Sequence, residues 1–117
     1  MKTLHLTLEY RWYDMIERGE KPEEYREMKW VKRICKFGKT ACAVLCLKPD
    51  GPRCHESMPT DYTHVCLRRG YTKTAMTWRI DRVAIGKGKP DWGAPDEEVV
   101  IIKLKQREDG SSRERLI

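Results

Sequence analysis

The chain has 117 residues, of which 39 % are hydrophobic and 36 % are charged, and its formal net charge is +6. This length leaves room for one domain with a modest core. No apolar run approaches the roughly 18–20 residues of a membrane span, and the first residues are too short and too alternating for a signal peptide. The composition therefore predicts a soluble, cytoplasmic protein without a membrane partner.

The first elements are indicated by their hydrophobic periodicity. Thr3 to Leu8 alternates between leucine and polar residues, which predicts a half-buried strand. A helix is predicted over residues 9–18, and its apolar stripe consists of Leu8, Trp12, Met15 and Ile16. Gly19 suits the left-handed position that ends a helix, and Pro22 favours an extended segment over residues 22–28.

The rest of the chain alternates between short strands and turns. Trp30, Val31 and Ile34 predict a helical turn, residues 40–47 a buried strand and residues 53–61 a loop. Further strands are predicted over residues 62–68, 74–85 and 99–104, with a β-bulge after Asp81, where the apolar phase slips. A loop around Trp92 occupies residues 86–95, and residues 106–117 are predicted to be a disordered tail.

Positive charge is concentrated in the second half of the chain. Between Tyr62 and Lys89 there are seven Lys or Arg residues against Asp81 alone, so this stretch carries as much net charge as the entire chain. A local basic surface attracts phosphates through counterion release. The alternative is a generic solubility surface.

The residues with the most specific chemistry directly follow the predicted helix, in the pattern Gly-x-Lys-x-x-Glu-x-Arg formed by Gly19, Lys21, Glu24 and Arg26. On a strand, Glu24 and Arg26 share one face, with Glu23 and Tyr25 on the other. Two cations beside one carboxylate leave a net positive charge, which suits a phosphate or the edge of a nucleobase. The alternative is an ordinary salt-bridged strand end.

This pattern resembles the signature motif of the ASCH domain family. Residues 65–71 and 78–88 and the Trp92-Gly93-Ala94-Pro95 loop also resemble that family, so the resemblance covers most of residues 3–105. It implies an α+β fold, a small PUA-like β-barrel of about five or six strands with one main helix packed across an opening. The domain would span residues 1–105, with residues 106–117 as the tail. Residues 34–61 have no counterpart in the resemblance.

The resemblance implies a domain that binds RNA or a modified nucleoside, because in ASCH domains this motif lines a cleft under the helix. Lys21 and Arg26 would contact the anionic group, and Glu24 would hold them or accept a hydrogen bond from a base. At a predicted strand end, Arg68 or Arg69 and Tyr71 flank Gly70, where a guanidinium and a ring can stack on a base. A tyrosine there more often packs against the protein, and Trp92 more often anchors its own loop.

An alternative is a small hydrolase. Some members of the family resemble amidohydrolases that deacetylate 4-acetylcytidine with a Lys, a Thr and a distant Glu. Lys21 matches the Lys, but Glu24 stands where the Thr would be, which removes the hydroxyl nucleophile. Lys21 and Glu24 would still form an acid–base pair, and Lys21, Arg26 and Tyr71 would support ribonuclease chemistry. A third interpretation is a protein-interaction module that uses residues 34–61.

The cysteines and histidines predict no cofactor. Five cysteines without a secretory signal favour reduced thiols. Cys42, Cys46, Cys54 and His55 fit no standard zinc spacing, so no metal is expected. His5 and His64 are predicted to point outward from strands, without a catalytic role.

Overall fold

The computed structural model describes residues 2–36 and 55–108. Its strands are β1 (Thr3–Leu8), β2 (Glu23–Arg26), β3 (His64–Arg69), β4 (Ala75–Lys87) and β5 (Glu98–Arg107). Its helices are α1 (Tyr10–Glu17), between β1 and β2, and α2 (Val31–Ile34), which directly follows a 3-10 turn at Met28–Trp30. A second 3-10 turn, Pro90–Trp92, precedes β5. The predicted α+β class is confirmed for this part of the chain. A membrane-crossing helix is absent from it, since α1 has eight residues and α2 has four.

The five strands form one mixed sheet in the order β1-β3-β4-β5-β2. β1 runs parallel to β3, and every other pair is antiparallel. The register of β4 against β5 shifts on both sides of Ile80, so the predicted bulge near Asp81 is confirmed. Such a bulge adds twist and bends a strand. The sheet is therefore curled into a half-barrel whose two edges are β1 and β2, and α1 connects these edges.

One face of the sheet holds the main core. Its strand residues include Leu4, Leu6 and Leu8 of β1, which are all buried as the alternation predicts. The two helices close this core with Tyr13, Ile16, Val31 and Ile34. Burying each such side chain contributes about 1.5–3 kcal/mol.

The buried positions of α1 differ from the predicted apolar stripe. Tyr13 is buried, whereas Trp12 and Met15 are only half-buried. The predicted stripe took Leu8 as its first helical position, but Leu8 is the last residue of β1 and the helix begins at Tyr10. The side of the helix that faces the core is therefore rotated relative to the predicted stripe. This rotation leaves the Trp12 ring free to lie beside the site described below.

A second, smaller cluster covers the opposite face of β5. It consists of Tyr25, Ala94, Val99 and Ile101, with Trp92 packed against it. Residues 99–102 of β5 are therefore buried on both faces, which explains why they form an uninterrupted apolar run. Trp92 packs against this cluster, which includes Ala94 of its own loop, and this packing agrees with the prediction that Trp92 anchors that loop.

Two sequence predictions need correction. His64 was expected to point outward, but it is buried, with its Nδ1 2.7 Å from the Thr63 hydroxyl and its Nε2 3.4 Å from a Glu108 carboxylate oxygen. Two polar partners allow this burial: Thr63, which directly precedes His64, and Glu108, which directly follows β5. β5 itself continues through Arg107, two residues into the predicted tail, because the long β4 offers Trp78 and Arg79 as pairing partners.

Residues 34–61, which have no counterpart in the family resemblance, are described at residues 34–36 and 55–61. Residues 55–61 form no helix or strand, as predicted, yet Met58 is buried and its N–H donates to the carbonyl of Val83. The predicted strand at residues 40–47 and the cysteines at 42, 46 and 54 lie outside the described residues.

Candidate functional site

The turn at the end of α1 places Lys21 against the last turn of that helix. Gly19 has a φ of +84°, in the left-handed region that glycine adopts without strain. The N–H groups of Glu20 and Lys21 both donate to the carbonyl of Met15, at 2.9 and 3.1 Å. Lys21 therefore lies against the last turn of α1 before β2 begins at Glu23.

Lys21, Glu24 and Arg26 converge in one ion cluster. Lys21 Nζ donates to Glu24 Oε1 at 2.7 Å, and Arg26 Nη2 lies 3.3 Å from Glu24 Oε2. Lys21 is 2 % exposed and Glu24 is 5 % exposed, whereas 21 % of the Arg26 side chain reaches solvent. Two cations share one carboxylate, so the cluster carries one net positive charge in a largely buried place.

Arg26 also joins the two edges of the half-barrel. Its Nη2 donates to the carbonyl of Thr7 at 2.9 Å, and Thr7 lies on the edge strand β1. A sheet edge presents backbone groups that lack a ladder partner. A side chain of β2 thus satisfies one such group of β1, and the ion cluster lies in the gap between the two edges.

One donor of this cluster has no partner. Arg26 Nε is buried and makes no hydrogen bond among the described residues. A buried donor without an acceptor costs about 1–3 kcal/mol. The exposed part of the Arg26 side chain, 21 % of its surface, is where an anionic ligand would contact this guanidinium.

Trp12 covers the Lys21 side of the cluster. Lys21 Nζ lies 4.7 Å from the centre of the Trp12 ring, and the Arg11 guanidinium carbon lies 4.6 Å from it. The ring also packs against Gly93, where an added Cβ would come within 2.8 Å of its atoms. The loop after β4 therefore holds Trp12 over the ammonium group, and cation–π attraction stabilises this arrangement.

Two guanidinium groups lie near the ring of Trp30 beside the cluster. The guanidinium carbon of Arg26 is 5.6 Å from the centre of its ring, and that of Arg33 is 5.4 Å from it. Trp30 is half-buried, so part of its surface faces solvent. A half-exposed indole next to two cations can accept both a stacked base and the phosphate attached to it.

Tyr25, on the opposite face of β2, has a structural role. Its hydroxyl donates to Glu23 Oε2 at 2.6 Å and accepts the N–H of Lys89 at 3.0 Å. Burial, together with the bond to Glu23, raises the pKa of the Tyr25 phenol well above its ordinary value of 10. The phenol therefore stays neutral at physiological pH and ties the loop after β4 to β2.

The other two predicted site residues lie apart from the ion cluster. Arg68 is exposed and its Nη1 donates to the carbonyl of Thr72 at 3.0 Å. Tyr71 is 99 % exposed in the turn between β3 and β4, so the expectation that it packs against the protein is wrong. The structure places both residues at this turn and shows no contact of either with Lys21, Glu24 or Arg26.

The basic stretch between Tyr62 and Lys89 is less positive at the surface than its sequence predicts. Arg69 forms two hydrogen bonds with Asp14, and its guanidinium carbon lies 4.2 Å from the centre of the Tyr10 ring. Three further cations have carboxylate partners within 4 Å: Arg79 with Glu108, Arg82 with Asp81 and Lys87 with Asp96. Three of the seven cations in this stretch, Arg69, Arg79 and Lys87, are therefore paired with carboxylates from outside it.

Sequence reasoning missed three components of the site. Trp12 was assigned to the core and Trp30 to a covering turn, while the carbonyl of Thr7 has no side-chain signature at all. The available signal was the presence of two tryptophans on either side of a Lys-x-x-Glu-x-Arg motif, within nine residues of Lys21. Cation–π pairing would have been the reason to connect them.

No cluster of three or more His, Cys, Asp or Glu side chains suited to a metal occurs within residues 2–36 and 55–108. Cys35 and Cys66 are free thiols. His5 and His55 are exposed, and His55 Nδ1 lies 3.1 Å from the carbonyl of Ile85.

Comparison of the chain with protein-family models, with curated proteins and with solved structures finds no match in any of the three. The resemblance to ASCH domains therefore stays a prediction that rests on the motif residues.

Proposed function

We propose that this protein binds RNA or a modified nucleoside as an ASCH-type domain of PUA-like fold. The observation that carries the proposal is the ion cluster of Lys21, Glu24 and Arg26, which has one net positive charge and lies where Arg26 of β2 bonds to the carbonyl of Thr7 in β1. The curled five-stranded sheet with α1 linking its edges supports the barrel-like part of this proposal.

In this proposal Arg26 makes the direct contact with the anionic group, since it is the member of the cluster with the largest exposed fraction. Glu24 orients the guanidinium, and Lys21 neutralises Glu24 and adds a second cation. Direct contact between Lys21 and the ligand requires the Trp12 ring to move. Trp30 supplies the surface on which a base stacks, and the exposed Arg68 and Tyr71 are available to a longer ligand.

The direct test is the affinity of wild type and Arg26→Gln for cytidine, 4-acetylcytidine, cytidine monophosphate and a short RNA, measured by calorimetry. A hydrogen bond to a charged group contributes about 1.5–3 kcal/mol, so Arg26→Gln is expected to weaken binding by roughly 10–100-fold. Arg18→Gln is the matched control, because Arg18 is exposed and its described partner is the exposed Glu20. Equal affinities of wild type and Arg26→Gln, or no binding of any of these ligands, would contradict the proposal.

A hydrolase is the second candidate, supported by the geometry of Lys21 and Glu24. Their 2.7 Å hydrogen bond lies in a place that excludes most water, which is a suitable setting for proton transfer. The test is chromatographic detection of deacetylated 4-acetylcytidine or of cleaved RNA, with Lys21→Ala and Glu24→Gln beside wild type. Product that wild type forms and that both variants lose while they remain folded, as checked by urea denaturation, supports an enzyme, and binding without product supports the first proposal.

A further inference from the structure

A second basic site lies beside α2, away from the ion cluster. It is a cavity of about 340 Å³. Four of the residues that line it are cations and one is a carboxylate, with a tyrosine ring among the rest: Lys2, Lys32, Arg33, Lys36, Asp61 and Tyr62. These residues come from three separate parts of the chain. The fold therefore concentrates positive charge in a hollow that no sequence motif indicates.

The charge in this cavity is only weakly neutralised. The Lys36 ammonium lies 4.0 Å from an Asp61 carboxylate oxygen, and both side chains are more than half exposed. Lys2 and Lys32 are exposed and form no ion pair among the described residues. Lys2 Nζ also lies 4.7 Å from the centre of the Tyr62 ring, so the cavity offers an aromatic surface beside its cations.

Arg33 connects this cavity to the ion cluster. It lines the cavity, and its guanidinium carbon lies 5.4 Å from the centre of the Trp30 ring. Arg26 approaches the same ring from the cluster, at 5.6 Å. A continuous series of cations and aromatic rings therefore runs from the gap between the edge strands, across Trp30, to the cavity.

We propose that the ligand is a single-stranded RNA of several nucleotides, bound along this series rather than as one nucleoside. One nucleotide contacts Arg26, a base stacks on Trp30, and the phosphates of the next nucleotides occupy the cavity beside Lys2 and Lys32. An unpaired strand is required, because the faces of bases inside a duplex are covered by the neighbouring base pairs. This inference rests on the proposed function and adds the length and the strandedness of the ligand.

The test compares adenosine monophosphate with an oligoadenylate of eight nucleotides, by calorimetry at two salt concentrations. The octamer is expected to bind wild type at least about tenfold more tightly, since added phosphate contacts increase affinity. The double variant Lys2→Gln with Lys32→Gln is expected to lose most of that gain. For this variant, the slope of log K for the octamer against log salt should become shallower by about 0.7 for each lost phosphate contact. Its affinity for the monophosphate should stay within about twofold of the wild-type value.

The matched control is Arg79→Gln with Lys105→Gln, which removes the same charge from exposed positions on β4 and β5. Three results would overturn the inference while leaving the Arg26 contact intact. They are an octamer no tighter than the monophosphate, an equal loss in both double variants, and a duplex of the same length that binds as tightly as the single strand. Failure of both the monophosphate and the octamer to bind would overturn the proposed function as well.

Discussion

The ammonium group of Lys21 is held by a 2.7 Å hydrogen bond to a carboxylate that is itself 5 % exposed. Removing an ammonium and a carboxylate from water costs several kcal/mol for each ion, and only close pairing offsets that cost. Glu24 retains Arg26 when Lys21 is lost, but at 3.3 Å that contact is longer. The stability of the site therefore depends on the Lys21–Glu24 pair.

We expect Lys21→Met to lower the free energy of unfolding by about 3–5 kcal/mol, because it leaves the buried Glu24 carboxylate with weaker compensation. The measurement is urea denaturation. Adding Glu24→Leu to Lys21→Met should restore part of the loss, so that the double variant costs about 0.5–3 kcal/mol less than the sum of the two single variants.

The control for this cycle is the pair of Lys29 and Glu27, which is also separated by few residues but is mostly exposed at 3.6 Å. Its coupling energy should be at most about 1 kcal/mol. If the losses of unfolding free energy from the Lys21 and Glu24 substitutions simply add in the double variant, the close pairing of these two side chains is wrong.

At the scale of elements, the two hydrogen bonds between Arg69 and Asp14 fix α1 to β3. The hydrogen bonds to Arg69, and then its positive charge, lower the pKa of the Asp14 carboxyl below its ordinary value of 3.8. A lowered folded-state pKa means that the contribution of this pair to stability is fully present above the unfolded value. It is lost as the pH falls through the folded-state pKa.

We expect Arg69→Gln to raise the pKa of Asp14 toward 3.8, since the charge-assisted hydrogen bonds that hold the carboxylate ionised are removed. The carboxyl chemical shift of Asp14, followed by NMR between pH 2 and 6, measures this directly. The control is Arg68→Gln, because Arg68 precedes Arg69 but bonds to the carbonyl of Thr72 instead. An Asp14 pKa that stays unchanged in Arg69→Gln would show that the α1–β3 ion pair does not form in solution.

At the scale of the whole molecule, β4 and β5 form the centre of the sheet. They share the longest pairing, and residues 99–102 of β5 are covered on both faces. β2 has only four residues and lies at an edge, although it carries Glu24 and Arg26. The site is thus built on an element that is less stabilised by backbone pairing than the sheet centre.

Native-state hydrogen exchange should therefore be slowest at the hydrogen-bonded amides of β4 and β5. Exchange of the paired amides of β2 should be faster by at least about tenfold, because edge elements open with a smaller free energy than the core. Addition of an RNA ligand should slow exchange in β2 more than in β5. Equal protection of β2 and β5 without ligand would mean that the sheet opens only as one unit.

Much of the local structure was predictable. The alternation of β1, the turn at Gly19 and the bulge near Asp81 all agree with the sequence predictions. The alternation of side chains along β2 also correctly puts Glu24 and Arg26 on one face. Each of these depends on residues within a few positions of one another. The prediction for His64 was wrong because its burial depends on Glu108, which a local pattern cannot place.

The sequence by itself predicted most of the strands and the main helix of the described residues, together with the residues that carry charge at the motif, since backbone periodicity and turn chemistry are local properties. The tertiary structure alone decided what these residues contact. Arg26 reaches the Thr7 carbonyl across 19 positions of sequence and Arg69 reaches Asp14 across 55. Curling of the β1-β3-β4-β5-β2 sheet creates the gap between its edges, so burial of Lys21 and Glu24 there depends on long-range packing that no short pattern encodes.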